Sequence, residues 1–196
     1  THQWNFNIQQ SLPGNSLFSI AYVGTNTVHR RLGAIQINQP PPGAGAINPR
    51  RPFPNFADVA MDVPIGQNNY QGLEVKFERR FARGFSMLSG YTWSHTMMGD
   101  IGQNTTVLAP IKSLSPEDLR QRFFLSSVWD LPFGTGRRWL SQGPIAHVVG
   151  GWQISPIFTA QSGLPFQPTV NGNPANTTGA QWPDRIRDGN LPRSER

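Results

Sequence analysis

Absences bound this chain first. It has no cysteine, which excludes disulfides, thiol nucleophiles and thiolate metal sites. It has no run of roughly 18 apolar residues, so it holds no membrane-spanning helix. His2, His29, His95 and His147 are scattered, with no two at ligand spacing, so neither a metal nor a cofactor is expected. A phosphate-binding glycine loop is missing, because Gly134-Thr135-Gly136-Arg137 lacks the lysine and the spacing. Ser94, His95 and Asp100 are near in sequence, but strand alternation sends Ser94 and His95 to opposite faces. Glu74 and Glu78 share a strand face about 13 Å apart at ~3.3 Å per residue, too far for a paired-carboxylate glycosidase site. No catalytic residue is assigned, and the chain is not expected to be an enzyme.

Turn formers are abundant. The 196 residues include 20 Gly and 18 Pro against 37% hydrophobic residues, which favours short elements and loops over long helices. A mean hydropathy of -0.42 looks soluble, although a transmembrane barrel gives the same reading because half of each strand is polar. The net charge is +6 and the sequence pI 10.7. The arginines behind it form separated pairs (Arg30-Arg31, Arg50-Arg51, Arg79-Arg80, Arg137-Arg138) near turns and loops. No basic helix or RNP-type aromatic motif accompanies them, so solvated loop charge is expected and nucleic acid is not.

Alternation of apolar and polar residues marks about six strands. In the clearest, Leu73, Val75 and Phe77 oppose Glu74, Lys76 and Glu78; its partner sets Phe85, Met87, Tyr91 and Trp93 against Ser86, Gly90, Thr92 and Ser94. The strands are predicted at about 3–12, 17–24, 70–81, 85–96, 119–133 and 151–163, forming hairpins over 3–24, 70–96 and 119–163. Pro13-Gly14-Asn15 and Ala82-Arg83-Gly84 are tight-turn signals. Pro156 is awkward within the last strand and demands a bulge or an edge there. Long loops are predicted at about 25–68, 97–118 and 164–196, the first carrying two proline-rich clusters, 39–43 and 49–54.

Short turns on one side and long loops on the other describe an outer-membrane β-barrel, with the turns periplasmic and the loops outside. Aromatics fit two interfacial belts: Trp4, Tyr22, Tyr70, Tyr91 and Trp93 on the long-loop side, and Phe18, Phe81, Phe85, Phe133 and Trp152 on the short-turn side. Barrels of this type have roughly eight strands or more. An open sheet would leave backbone groups unsatisfied in hydrocarbon. The fold is therefore expected to be an all-β antiparallel meander, an incomplete section of a large transmembrane barrel occupying 1–196. The sequence opens at Thr1 without a charged and then apolar segment, so no signal peptide is visible and an internal section is expected. The partners expected are outer-membrane lipid and the remainder of the same barrel.

Several short segments also resemble one family. They include Gln3-Trp4-Asn5-Phe6-Asn7-Ile8-Gln9, Ala21-Tyr22-Val23-Gly24, Asn48-Pro49-Arg50-Arg51-Pro52 and Asn69-Tyr70-Gln71-Gly72-Leu73-Glu74-Val75-Lys76. Others are Gly90-Tyr91-Thr92-Trp93-Ser94, Leu131-Pro132-Phe133-Gly134, Gly150-Gly151-Trp152-Gln153-Ile154, Gln161-Ser162-Gly163-Leu164-Pro165-Phe166 and Asp188-Gly189-Asn190-Leu191. In order, they resemble the Oar-like group of TonB-dependent receptors. That resemblance implies a late portion of a barrel of about 22 strands. It also implies a plug and a TonB-contacting box elsewhere in the parent, and uptake of a ligand driven through the TonB system.

The wet faces would line the lumen, which makes Glu74, Lys76, Glu78, Arg122 and Gln153 candidate ligand-binding residues. Glu74-Lys76-Glu78 also reads as a self-neutralising charge ladder. Loops held by a rigid scaffold concentrate binding residues, so Phe53 and Trp182 are candidates as aromatic loop tips. The expected function is a barrel-wall segment of a TonB-dependent transporter in the outer membrane. The alternatives are a passive or adhesive outer-membrane barrel and a soluble all-β binding module.

Overall fold

A computed structural model describes residues 1–103, 105, 108–179, 181–186, 192 and 194. The chain is all-β: the described residues form eight strands in one sheet, with a short helix and a 3-10 turn at Asn48–Arg50. The strands are β1 (His2–Leu12), β2 (Ser16–Gln36), β3 (Ala60–Ala82), β4 (Phe85–Ile101), β5 (Pro110–Leu114), β6 (Gln121–Asp130), β7 (Gln153–Ile154) and β8 (Ile157–Gln161). The helix α1 is Pro144–Val149. The sheet runs β1-β2-β3-β4-β6-β7, with β5 on β4 and β8 on β6. Successive strands lie side by side, as in a barrel wall. β1 and the β7/β8 edge do not pair with each other among the described residues.

Both tight turns form where turn chemistry placed them. Gly14 and Asn15 close β1 onto β2 with φ of 77° and 62°, and Arg83 and Gly84 close β3 onto β4 with φ of 53° and 78°. Pro156 acts as expected. The last strand breaks into β7 and β8 around it, both pair with β6, and the Pro156 carbonyl still accepts from the Ser127 N–H at 3.2 Å.

Three differences from the sequence reading stand out. The extended backbone of β2 continues to Gln36 and β3 begins at Ala60, so the first long connection covers only 37–59 rather than 25–68. The connection expected over 97–118 contains β5, and β4 reaches Ile101. The count is eight strands rather than about six, through β5 and the division at Pro156.

The residues form two compact units. The first comprises 1–27, 68–97 and 117–165; the second comprises 28–67, 98–116 and 166–196. β2, β3 and β4 contribute to both.

In the first unit, register sorts the side chains by face. Phe6 pairs with Tyr22 and Ile8 with Ile20; Asn5, Asn7 and Gln9 pair with Val23, Ala21 and Ser19. Phe85 pairs with Trp129, Tyr91 with Phe123, and Leu125 with Phe158. The Arg79 guanidinium lies 5.3 Å from the Phe85 ring centre, which puts odd positions of β3 on the Phe85 side. The apolar residues thus share one face, and Phe6, Trp93, Trp129 and Phe158 on it are exposed.

Glycines on this sheet receive aromatic rings. Trp4 lies over its cross-strand partner Gly24, Phe124 over its partner Gly90, and Tyr70 over Gly72. A side chain at any of the three glycines would meet the ring.

The second unit has its own small apolar core: Leu32, Ile35, Val63 and Ile101, with Ile65 packed against them. The backbone of β2 turns left-handed at His29 and Ala34, where φ is 57° and 58°. Asp62 holds the second position, accepting the Ala34 N–H at 3.2 Å and pairing with Arg31.

Candidate functional site

Two groups of polar residues could carry binding, one in each unit. The first lies on the polar face of the wall. Alternation brings Glu74, Lys76, Glu78 and Arg80 to one side of β3. Lys76 Nζ is 3.3 Å from Glu78 Oε2, and Arg80 Nε is 3.9 Å from Glu78 Oε1. The ladder is therefore Lys76-Glu78-Arg80, shifted one step from the expected Glu74-Lys76-Glu78. Glu74 has no ion-pair partner among the described residues.

Arg122 sits between Thr92 and Gln161 across three strands, exposed and without an ion pair among the described residues. Gln153 is committed: its Nε2 donates to Asp130 Oδ1 at 2.9 Å, bracing β7 against β6. The candidates of this face thus divide into charges engaged with one another, a braced amide, and two groups, Glu74 and Arg122, with unmet charge.

The Ser94-His95-Asp100 neighbourhood does not assemble. Ser94 Oγ donates to the Leu119 carbonyl at 2.8 Å, and His95 Nδ1 lies 3.5 Å from Asp118 rather than near Asp100. Asp100 faces Arg30 at 3.8 Å. Asp118 is buried; its carboxylate accepts the Thr96 N–H at 2.6 Å and lies 3.6 Å from Arg120 Nε. It ties β4 to the segment that leads into β6.

The second group is the hydrogen-bonded loop assembly of the second unit. Asn38 is fully buried at 0% exposure. Its Nδ2 donates to the carbonyls of Phe53, Phe56 and Ala57 at 3.0, 3.2 and 2.8 Å, and its Oδ1 accepts the Phe53 N–H at 2.8 Å. Gln39 Nε2 donates to the carbonyls of Gln103 and Thr178 at 2.9 and 2.7 Å, while its Oε1 accepts the Thr105 N–H at 2.8 Å. Arg51 donates to Asn48 Oδ1, the Asn38 carbonyl and Asp58 Oδ1 at 3.0, 2.7 and 2.6 Å. Arg50 reaches the carbonyls of Pro41 and Asn176, each at 2.6 Å. Three segments distant in sequence are thereby fixed by side chains, without a continuous strand ladder.

A cavity of about 480 Å³ opens in this assembly, lined by Pro40–Pro42, Gln39, Arg50, Arg51 and Gln103 among others. That volume suits a small ligand. Its proline walls hold fixed φ angles, and its arginines are held by carbonyls, so the shape is preformed. Phe53 and Trp182 do not line it. Phe53 is exposed, its backbone clasped by Asn38; the Trp182 backbone N–H donates to Gln103 Oε1 at 2.7 Å. Sequence reasoning missed the organising residues Asn38, Gln39 and Arg51. Gln39 reaches partners 64 and 139 residues away, and Asn38 and Arg51 bond within an aperiodic loop, so no local pattern announces them.

No described helix is long and apolar enough to cross a membrane. Comparison with curated proteins and with solved structures returned no match. A family model described as an outer membrane beta barrel domain matches residues 1–195. This sets aside the soluble binding module. The chain belongs to the outer membrane beta barrel domain family, and it is a section of barrel wall in the outer membrane.

Proposed function

We propose that this section belongs to a TonB-dependent transporter of the Oar-like group that takes up a ligand through the outer membrane. The observation that carries the reading is the ordered set of short motifs from Gln3-Trp4-Asn5-Phe6 to Asp188-Gly189-Asn190-Leu191. In this reading the polar face turns toward a plug supplied by another part of the parent. Lys76, Glu78 and Arg80 keep that face soluble, and Glu74 and Arg122 are the charges left to meet plug or ligand. Phe53 and Trp182 serve as aromatic contacts for a ligand arriving from outside, and the proline-walled cavity is the first place for it to lodge. The chain makes and breaks no covalent bond in this scheme.

The TonB interaction provides the test. The intact protein, purified from outer membrane, should retain the purified periplasmic domain of TonB in a saturable complex. Deleting the TonB-contacting segment of the parent should abolish it. An intact protein that binds no TonB domain would overturn the transporter reading in favour of a passive or adhesive barrel.

A further inference from the structure

The connection from β6 to β7 has no part in the transport reading, yet it is firmly built. It leaves at Asp130 and returns at Gln153, which pair across the sheet. The Leu131 N–H donates to the Trp152 carbonyl at 2.9 Å, and the Trp139 N–H to the Pro132 carbonyl at 3.0 Å. α1 is held close at its end, where a Cβ on Gly134 would strike the backbone of Gly150. Ala146 is buried at that junction, and the Trp152 indole donates to the Val148 carbonyl at 2.9 Å.

This frame turns apolar groups outward. Trp139, Leu140, Ile145, Val148 and Trp152 are each more than half exposed. From Leu131 to Trp152 there is no aspartate or glutamate, but there are two arginines. The Arg138 guanidinium lies 5.7 Å from the Trp139 ring centre, and Arg137 reaches Asp130 only at 3.9 Å. Trp129 and Ile154, which flank the connection, pair on the apolar side of the wall. The connection also lies at the tight-turn end: the Asp130 N–H donates to the Gly84 carbonyl at 2.8 Å. Tight turns of outer-membrane barrels face the periplasm.

We propose that residues 131–152 form an interfacial anchor seated in the periplasmic leaflet, where Arg137 and Arg138 hold the phosphate of an anionic glycerophospholipid. Indoles rest at headgroup depth, with the apolar body below and the polar N–H above. Ile145 and Val148 enter the acyl boundary, as the apolar side of an interfacial helix does. The planar guanidinium forks of the two arginines match phosphate oxygens, and nothing acidic within the segment competes for them.

The test uses the intact protein reconstituted in phosphatidylcholine vesicles containing a minor fraction of phosphatidylglycerol. Lipid that co-purifies through detergent extraction is quantified by mass spectrometry. Phosphatidylglycerol should be enriched over its bulk ratio, and R137Q/R138Q should lower that enrichment by about fivefold for each arginine removed. K112Q, which removes one positive charge on β5, should leave it unaltered. Because the described section has no cysteine, I145C can carry an environment-sensitive fluorophore as an independent readout. Its emission should shift to the blue in vesicles. Unchanged enrichment in the double variant, or water-like emission at position 145, would overturn the proposal, whether or not the protein binds TonB.

Discussion

Replacing the Asn38 amide by a carboxylate of the same shape, Asn38→Asp, tests whether side chains rather than strand pairing hold the loop assembly together. Nδ2 is now within 3.2 Å of three carbonyl oxygens, those of Phe53, Phe56 and Ala57. An oxygen in its place donates nothing and faces three partial negative charges in a site closed to water. Each lost hydrogen bond costs about 1 kcal/mol net, and buried acceptors left without donors cost about 1–3 kcal/mol. The total is about 4 kcal/mol, near the upper end for a single substitution. At about 1.4 kcal/mol per decade, local opening should become about a thousandfold more frequent.

Hydrogen exchange reads this directly. The Phe53 N–H is bonded to Asn38 Oδ1 and the Val59 N–H to Gln36 Oε1, both at 2.8 Å, so their amides report on side-chain anchoring. Peptides over 47–59 in the reconstituted Asn38→Asp protein should exchange faster by about that factor, up to the global unfolding limit. Peptides over β6 should keep their rates. A change of less than about tenfold in 47–59 would refute the assignment of stability to this amide, as would an equal change in β6.

Two further outcomes test the wall. Gly90→Leu puts a side chain where the Phe124 ring lies and should destabilise by about 1–3 kcal/mol, read as a lower urea midpoint in vesicles; Gly90→Leu/Phe124→Ala should recover most of it, and a neutral single variant would mean the ring does not lie there. Single cysteines at Val75 and Lys76 of the intact protein should react with a lipid-soluble and a water-soluble label respectively; the opposite pattern would mean that the two faces are exchanged.

How much of this was legible depended on solvent. Where the two faces of a sheet meet different surroundings, alternation is enforced, and β1, the start of β2, β3 from Tyr70 onward, β4 and β6 could be read from it. Past Thr25 that constraint lapses. Left-handed backbone at His29 and Ala34 interrupts the regular strand, and Pro64 lies within β3, so the extended backbone there carried loop chemistry in its letters. The short β5 begins with a proline and offered no periodic signal. Of the candidate residues, Glu74, Lys76, Glu78 and Arg122 took the polar face that parity assigned, whereas the Lys76-Glu78-Arg80 ladder depended on rotamers. The cavity was invisible because Gln39 finds its partners 64 and 139 residues away, distances over which a single sequence carries no pattern.

The interruption at Ser155-Pro156 bears on how the nascent polypeptide survives its passage through water before it reaches lipid. An uninterrupted outer strand beside β6 would be a template for any stray polypeptide, and fibrous self-association would compete with insertion. The two short pieces on either side of the proline, β7 and β8, give little length to zip along. The same residue that spoils the strand thus acts as a gatekeeper, slowing promiscuous pairing until the proper neighbour docks.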